Sequence, residues 1–215
     1  MVKVAPSILS ADFSRLGQDV SDICRDGADF VHVDVMDAHF VPNLTFGAMV
    51  LKAIKPYSTV PMDVHLMMTN PRDFIDQFIL AGANRLSIHI ELEDDIGELL
   101  AQIRLKGAKA GLCIKPQTPA KAIIPYLDLL DLIIVMTVEP GFGGQMFMED
   151  MLPKITALKQ IIGTRPIDIE IDGGINDKTA PAAVNAGGDV LIAGNYIFKA
   201  QNREDAIKTL RGTEK

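Results

Sequence analysis

Two hydrophobic patterns alternate along the 215-residue chain. In one, apolar side chains recur at every second position, which is typical of β-strands. In the other they recur at every third or fourth position, which is typical of amphipathic helices. The strand pattern covers residues 2–9, 29–36, 61–67, 85–90, 109–115, 130–138, 167–172 and 190–193. The helical pattern falls between these runs, at about residues 14–26, 46–55, 71–81, 95–106, 119–126, 149–162, 177–186 and 202–211, with ends defined to about three residues.

The alternation of strands and helices predicts an α/β fold with parallel strands and right-handed crossovers. Eight such units in a little over 200 residues predict a compact (β/α)₈ barrel, the TIM barrel. The alternative is a doubly wound open sheet, but that fold would favour a GxGxxG turn after the first strand, and residues 6–10 read Pro-Ser-Ile-Leu-Ser. Because no linker or change of composition interrupts the pattern, we expect a single domain over residues 1–215.

Composition narrows the classes of partner. A formal net charge of −7 argues against nucleic acid or an anionic membrane as the main partner, and leaves an anionic small molecule open. The two cysteines, Cys24 and Cys113, lie far apart, which favours reduced thiols over a disulfide framework. The first residues lack the apolar core of a signal peptide, and no apolar run has the length of a membrane span. We therefore expect a cytoplasmic protein with no membrane partner.

The candidate catalytic and metal-binding residues lie on the polar faces of the strands. His32 and Asp34 alternate with three valines in the second strand, and Asp63 and His65 share a face of the third. In the seventh strand Asp168, Glu170 and Asp172 oppose three isoleucines, and in the fourth Ser87 and His89 oppose two more. The branched apolar faces must meet the helices, so the polar faces point into the barrel. Because barrel interiors are normally apolar, acids and imidazoles there indicate an active-site mouth.

Four of these side chains are expected to converge: His32, Asp34, His65 and Asp172. Two imidazoles and two carboxylates suit a divalent ion such as Zn²⁺, Fe²⁺, Mn²⁺ or Co²⁺. Each residue alone is equally well explained as a hydrogen-bonded polar group of the core, but the set of four favours a metal site. Asp63 is expected either to orient a ligand imidazole or to make a plain buried hydrogen bond. His89 is expected to be a core or supporting histidine.

Glycine clusters follow the last three strands, at Gly141, Gly143-Gly144, Gly173-Gly174 and Gly194-Asn195. Glycine lets the backbone approach an anion closely and turn its N–H groups towards it. Loops after the late strands of such barrels commonly bind phosphate. The clusters therefore predict a phosphate site, and the glycine-rich segment 139–148 is a candidate lid.

The chain resembles the ribulose-phosphate 3-epimerase family over nearly its whole length. Six motifs carry the resemblance: PSILSADF at 6–13, HVDVMD at 32–37, HFVPN at 39–43, DVHLM at 63–67, VEPGFGGQ at 138–145 and IDGGI at 171–175. It departs from the usual family pattern at Ala38, where glycine is usual, at Lys115, where asparagine is usual, and at Asn195-Tyr196, where Ser-Ala is usual.

The resemblance implies roles for the candidate residues. The metal would lie on His32, Asp34, His65 and Asp172, with Asp34 as proton acceptor and Asp172 as donor for the ribulose substrate. Ser7 and His65 would lie near the substrate, under a cap formed by Met36, Met67 and Met136. The phosphate would lie against Gly141, Gly143, Gly144, Gly173, Gly174, Gly194 and Asn195.

The activity implied is a metal-dependent epimerisation that interconverts D-ribulose 5-phosphate and D-xylulose 5-phosphate. Inverting the carbon next to a ketone requires a proton to leave one face and another to arrive on the opposite face, which favours two carboxylates and an enediolate intermediate. The alternatives are the same chemistry on a related ketose phosphate such as D-allulose 6-phosphate, or a phosphate-binding barrel lyase. The resemblance also implies a homo-oligomer.

Overall fold

A computed structural model describes residues 1–212, and the last three residues of the predicted domain, 213–215, lie outside the described part. Eight parallel strands form one sheet: β1 (Lys3–Pro6), β2 (Val31–Met36), β3 (Met62–Met67), β4 (Ala83–His89), β5 (Lys109–Ile114), β6 (Leu132–Met136), β7 (Asp168–Asp172) and β8 (Val190–Ala193). The helices are α1 (Leu16–Arg25), α2 (Ala48–Ile54), α3 (Ile75–Ala81), α4 (Ile96–Leu105), α5 (Leu152–Ile162), α6 (Ala180–Ala186), α7 (Asn195–Phe198) and α8 (Arg203–Arg211).

The strands close into the predicted barrel. The sheet order is β1-β8-β7-β6-β5-β4-β3-β2, so β1 and β2 are its two ends. A parallel bridge between Ser7 and His32 brings these ends together. The strand patterns therefore predicted the architecture correctly, and the doubly wound alternative is excluded.

The alternation along the strands determines where the core lies. The branched side chains of the strands, such as Val33, Val64 and Ile169, are buried in one large cluster together with apolar side chains of the helices. The polar residues of the same strands point to the opposite side, into the barrel. This inward face carries buried polar side chains at His32, Asp34, Asp63, His65, Arg85, Ser87, His89 and Glu170.

Two element predictions were wrong in detail. Residues Ala120–Leu129 form a 3₁₀ helix rather than an α-helix, since Pro125 lies inside the segment and its ring would clash with the carbonyl four residues earlier in an α-helix. The first strand ends at Pro6 rather than at residue 9, because the Ser7 side chain accepts the Leu9 N–H at 3.3 Å and begins a 3₁₀ turn. Among the described helices, none is long and apolar enough to cross a membrane.

Candidate active site

The four predicted ligand residues meet at the carboxyl ends of three strands. Asp34 of β2 is paired in register with His65 of β3, which places their side chains next to each other. His32 Nε2 lies 3.3 Å from Asp34 Oδ1, and His65 Nδ1 lies 3.4 Å from the same oxygen. Asp172 Oδ2, from β7, lies 3.5 Å from His65 Nδ1. One donor atom of each residue lies within 4.8 Å of the others, so the structure brings the whole set together.

The donor atoms suit a divalent cation. His32 Nε2 and His65 Nδ1 are buried and have no hydrogen-bond partner, although both ring nitrogens face the carboxylates. Zinc-type bonds of about 2.1 Å in a tetrahedron separate neighbouring ligands by about 3.4 Å. The separations of 3.3, 3.4 and 3.5 Å match that spacing. This group can therefore hold a metal ion.

The second nitrogen of each imidazole is held by another side chain. His32 Nδ1 lies 2.7 Å from Asp63 Oδ2, because Asp63 is the register partner of His32 on β3. His65 Nε2 lies 2.8 Å from His89 Nε2, and His89 Nδ1 lies 3.0 Å from Glu91 Oε2. Such partners fix which ring nitrogen carries the proton and how the ring is oriented.

The protonation states follow from these contacts. Burial lowers the pKa of His89 to about 4, so this imidazole is neutral at pH 7. Burial opposes ionisation of Glu91, but His89 and Thr118 lower the pKa of this carboxyl to about 2, so it is an ionised acceptor. His89 therefore donates from Nδ1 to Glu91 and accepts at Nε2 from His65, which turns the free Nδ1 of His65 towards the carboxylates.

The cluster also stabilises positive charge. Burial opposes a charge on His32, yet the carboxylates of Asp34 and Asp63 raise the pKa of this imidazole well above its usual value. Burial likewise opposes ionisation of Asp34, but His32 and His65 hold the pKa of this carboxyl far below its usual range. The site between His32, His65 and Asp34 therefore favours a cation, whether a proton or a metal ion.

A cavity of about 360 Å³ opens above the cluster, and both Asp34 and Asp172 line it. Ser7 also lines the cavity, and its hydroxyl donates to Asp34 Oδ2 at 2.6 Å. Three methionine side chains form an apolar part of the wall: Met36, Met67 and Met136. His32 and His65 are fully buried and are not among the lining residues, so their nitrogens reach the cluster from beneath the cavity floor.

The predicted glycine loops form the other end of the cavity. Its wall includes Gly141, Gly143, Gly144, Gly173, Gly174, Gly194 and Asn195. The loops touch at points where only glycine fits: a Cβ on Gly174, whose φ is +67°, would lie 2.6 Å from Phe147 Cα. The side chain of Asn195 fills the space beside Gly144. The candidate lid is held to the loop after β2 by Asn43, whose Nδ2 donates to the Gly141 carbonyl at 2.8 Å.

The positions that depart from the usual family pattern, Ala38, Lys115 and Asn195-Tyr196, lie in three different environments. Ala38 has a left-handed backbone, with φ of +62°. Lys115 Nζ lies 3.8 Å from the centroid of the Phe40 ring, which in turn packs 4.6 Å from His89. Tyr196 lines the cavity beside Asn195.

Sequence reasoning missed Arg85 as part of the barrel interior. This side chain is 2 % exposed and forms ion pairs with Asp168 and Glu170 of β7. A signal was present, because Arg85 precedes Ser87 and His89 at the spacing of one strand face. Its partners lie more than 80 positions away in the chain, and the sequence pattern alone does not pair them.

Carboxylates and imidazoles at the mouth of a (β/α)₈ barrel, facing a glycine-lined end of one cavity, define an enzyme site for a small anionic molecule. A model of the "Ribulose-phosphate 3 epimerase family" matches residues 3–198. The chain is 44 % identical to the ribulose-phosphate 3-epimerase of Bacillus subtilis, with all of both chains covered. It is 50 % identical to that of Rhodobacter capsulatus, over 92 % of this chain and 86 % of the relative. The chain belongs to the ribulose-phosphate 3-epimerase family, whose members are isomerases that act on carbohydrates.

More distant solved structures share the fold. A 3-hexulose-6-phosphate synthase superposes with a TM-score of 0.68 at 16 % identity, with all of both chains covered. The orotidine 5'-phosphate decarboxylase of Pyrococcus horikoshii superposes with a TM-score of 0.71 at 14 % identity and 98 % coverage of each chain. These likenesses support the barrel architecture.

Proposed function

We propose that this protein interconverts D-ribulose 5-phosphate and D-xylulose 5-phosphate by moving the proton at C3. The observation that carries the proposal is the placement of Asp34 and Asp172 in one cavity, within a cluster that also presents two imidazole nitrogens. The names and identities of the relatives support the choice of substrate.

The two aspartates divide the proton transfer between them. Asp34 accepts the C3 proton of the ribulose substrate, and Asp172 donates a proton to the opposite face; the reverse reaction exchanges these roles. The Ser7 hydroxyl donates to Asp34 Oδ2 and so orients this carboxylate. Met36, Met67 and Met136 offer no protons and exclude water from the enediolate.

The phosphate of the substrate lies against the glycine loops in this proposal. Gly143, Gly144 and Gly174 leave their backbone close to the cavity, and Asn195 adds a side-chain amide at the same end. Backbone N–H groups and an amide suit an anion without adding a charged side chain. Binding at that end orients the sugar so that C3 lies towards the aspartates.

A divalent ion, Zn²⁺, Fe²⁺, Mn²⁺ or Co²⁺, is proposed as cofactor, with His32, Asp34, His65 and Asp172 as its ligands. When bound, such an ion stabilises the negative charge that develops on the oxygens of the substrate. Removal of the ion with a chelator is expected to abolish turnover, and one of these ions should restore it. Elemental analysis before and after dialysis measures the ion itself, and full activity of metal-free protein would contradict the proposal.

The substrate is tested with purified protein and both ketose phosphates. Ribulose 5-phosphate should be converted with a higher kcat/KM than D-allulose 6-phosphate, and deuterium from D₂O should enter at C3. A clear preference for the hexulose phosphate would overturn the proposed substrate. Cleavage of the sugar without epimerisation would instead indicate a lyase.

Replacing Asp172 by asparagine tests the two-base scheme. We expect Asp172→Asn to fold and to lose about 10²- to 10⁴-fold in kcat, because the proton carrier for one face is removed. The control is Asp177→Asn, an exposed acid five positions along the chain, which should retain wild-type turnover. Near-wild-type turnover of Asp172→Asn would contradict the scheme.

We also propose that the protein acts in the cytoplasm as a homo-oligomer. Cys24 and Cys113 are both free thiols, which suits a reducing compartment. Phe13, Leu44 and Met49 expose much of their apolar surface, which suits contact with another copy. Light scattering on a sizing column tests the association, and a monomer across the micromolar range would contradict it.

A further inference from the structure

The barrel interior beneath the candidate metal site holds a charged network beside buried apolar side chains such as Phe30 and Ile134. The guanidinium of Arg85, on β4, donates to Asp168 Oδ2 at 3.1 Å and to Glu170, both on β7. Glu170 is fully buried, and Phe30 covers the guanidinium at 4.3 Å from its ring centroid. A buried arginine must be paired with carboxylates to be tolerated. Apolar side chains at these positions would avoid the free-energy cost of removing charged groups from water. The presence of the network therefore needs an explanation.

A third carboxylate links this network to the site. Arg85 Nε lies 3.6 Å from Asp63 Oδ1, and the other oxygen of Asp63 lies 2.7 Å from His32 Nδ1. Asp63, Glu170 and His32 have polar atoms within 4.8 Å of one another. The two carboxylates would repel each other in this enclosed space if no cation lay beside them.

We propose that Arg85 is a positioning residue that acts on His32 through Asp63. Its charge offsets Asp63 and Glu170, and its planar group spans the carboxylates that surround it. Asp63 is thereby held where it accepts the His32 Nδ1 proton, so that Nε2, 3.3 Å from Asp34 Oδ1, is the ring nitrogen that would bind the ion. The inference rests on the proposed function, because it concerns an imidazole that is proposed to hold the metal ion.

The affinity of the protein for Co²⁺ distinguishes this role from a purely structural one. We expect Arg85→Met to bind Co²⁺ about 10- to 100-fold more weakly than wild type, in competition with a chromophoric chelator. The visible spectrum of the Co²⁺ protein should also change, since it reports the geometry of the ligands. A residue that only stabilises the barrel would change the melting temperature and leave both readouts as they are.

Lys3→Met is the matched control. Lys3 pairs with the same Asp168, at 3.2 Å, and lies over the same Phe30 ring, but its side chain is half-exposed. Its loss should leave the Co²⁺ affinity within about twofold of wild type, since no effect through Asp63 is expected.

A double variant, Arg85→Met with Glu170→Gln, tests whether Arg85 acts on Asp63 through its charge. It removes the guanidinium together with the acidic group of Glu170, so Asp63 no longer faces a carboxyl group that has lost its cation. We expect it to recover most of the lost Co²⁺ affinity relative to Arg85→Met. Arg85→Lys keeps the charge without the planar fork, and should bind Co²⁺ several-fold more weakly than wild type with an altered spectrum.

The outcomes separate the two proposals. If wild-type protein binds no Co²⁺, the proposed metal centre itself fails. If wild type binds Co²⁺ and folded Arg85→Met matches its affinity and spectrum, the positioning role is overturned while the proposed function stands. The role is also overturned if the double variant binds as weakly as Arg85→Met. Should Arg85→Met not fold, Arg85→Lys decides the question, and wild-type values there would overturn the role.

Discussion

Ala38 has a backbone conformation that is unfavourable for a residue with a Cβ atom. It has a φ of +62°, a conformation that costs an L-residue about 1–2 kcal/mol. The following turn enforces this conformation, because Asp37 Oδ1 accepts the N–H groups of His39 and Phe40, both at 2.8 Å. Asp37 Oδ2 accepts the Thr69 N–H as well, which ties the turn to the end of β3. The strain is therefore stored beside the site.

Replacing Ala38 by glycine should relieve this strain. We expect Ala38→Gly to raise the free energy of unfolding by about 0.5–1 kcal/mol, after the greater entropy of glycine in the unfolded chain is subtracted. Urea denaturation measures the change. As control, Ala101→Gly at an exposed position of α4 should lower the free energy of unfolding by a similar amount. Destabilisation by both substitutions would refute the strain at residue 38.

At the residue scale the sequence predicted correctly that four side chains converge, and it predicted the contacts that support them poorly. His32, Asp34, His65 and Asp172 follow from period-2 patterns on strands whose carboxyl ends must meet. The Asp63–His32 contact depends on the register between β2 and β3, which the patterns leave open, so both interpretations of Asp63 were needed. The pairing of Arg85 depends on a long side chain that crosses the barrel, and only coordinates show it.

At the scale of elements, the loops after β6 and β7 depend on each other. Gly174 contacts the backbone of Phe147, and Thr137 Oγ1 at the end of β6 donates to the Gly173 carbonyl at 2.7 Å. Asn43 holds Gly141 from the opposite side. Segment 139–148 thus packs directly on the loop proposed to bind phosphate.

Gly174→Ala tests this contact. An alanine there has an unfavourable φ and brings Cβ to 2.6 Å from Phe147 Cα, so segment 139–148 must shift. We expect kcat/KM for the sugar phosphate to fall by about 10- to 100-fold, mainly through KM. Gly143→Ala is the comparison, because its Cβ would meet nothing closer than 3.7 Å. Equal effects of the two substitutions in steady-state kinetics would show that the contact with Phe147 is not the cause.

The elements themselves were predictable where they are long and periodic. All eight strands were found, as were the helical segments between them. The α7 helix, Asn195–Phe198, was missed because four residues are too few to show a helical period. The 3₁₀ segment was assigned the wrong helix type, although Pro125 was visible in the sequence.

For the whole molecule, closure of the barrel depends on contacts between the two ends of the chain. Val4 N donates to Asp29 Oδ2 at 2.8 Å, next to the Ser7–His32 bridge between β1 and β2. Arg211 of α8 donates to the same Asp29 oxygen at 2.6 Å. The C-terminal helix therefore stabilises the junction from which Ser7 and His32 extend into the site.

Asp19 makes the second connection between the chain ends, and its charge gives that connection a pH dependence. It is fully buried in α1 and accepts from Arg203 of α8 at 3.1 Å and from the Asp12 N–H at 2.9 Å. Burial opposes ionisation, but the Asp12 N–H and Arg203 lower the pKa of this carboxyl below its usual value. A lowered pKa in the folded state means that ionised Asp19 stabilises the fold above the unfolded pKa, about 3.9, and that this contribution is lost as the pH falls through the folded value.

Asp19→Asn should therefore destabilise the protein in a pH-dependent way. At pH 7 we expect a loss of about 1–3 kcal/mol in the free energy of unfolding, because the charged hydrogen bonds with the Asp12 N–H and with Arg203 of α8 are weakened. The difference from wild type should begin to shrink below about pH 4, where the unfolded wild-type chain binds a proton at Asp19, and should vanish only below the lowered pKa of the folded state. Urea unfolding at a series of pH values measures this, with Asp128→Asn, an exposed acid, as the control. A difference that stays constant from neutral to acidic pH would mean that packing around residue 19, rather than its charge, joins α8 to the barrel.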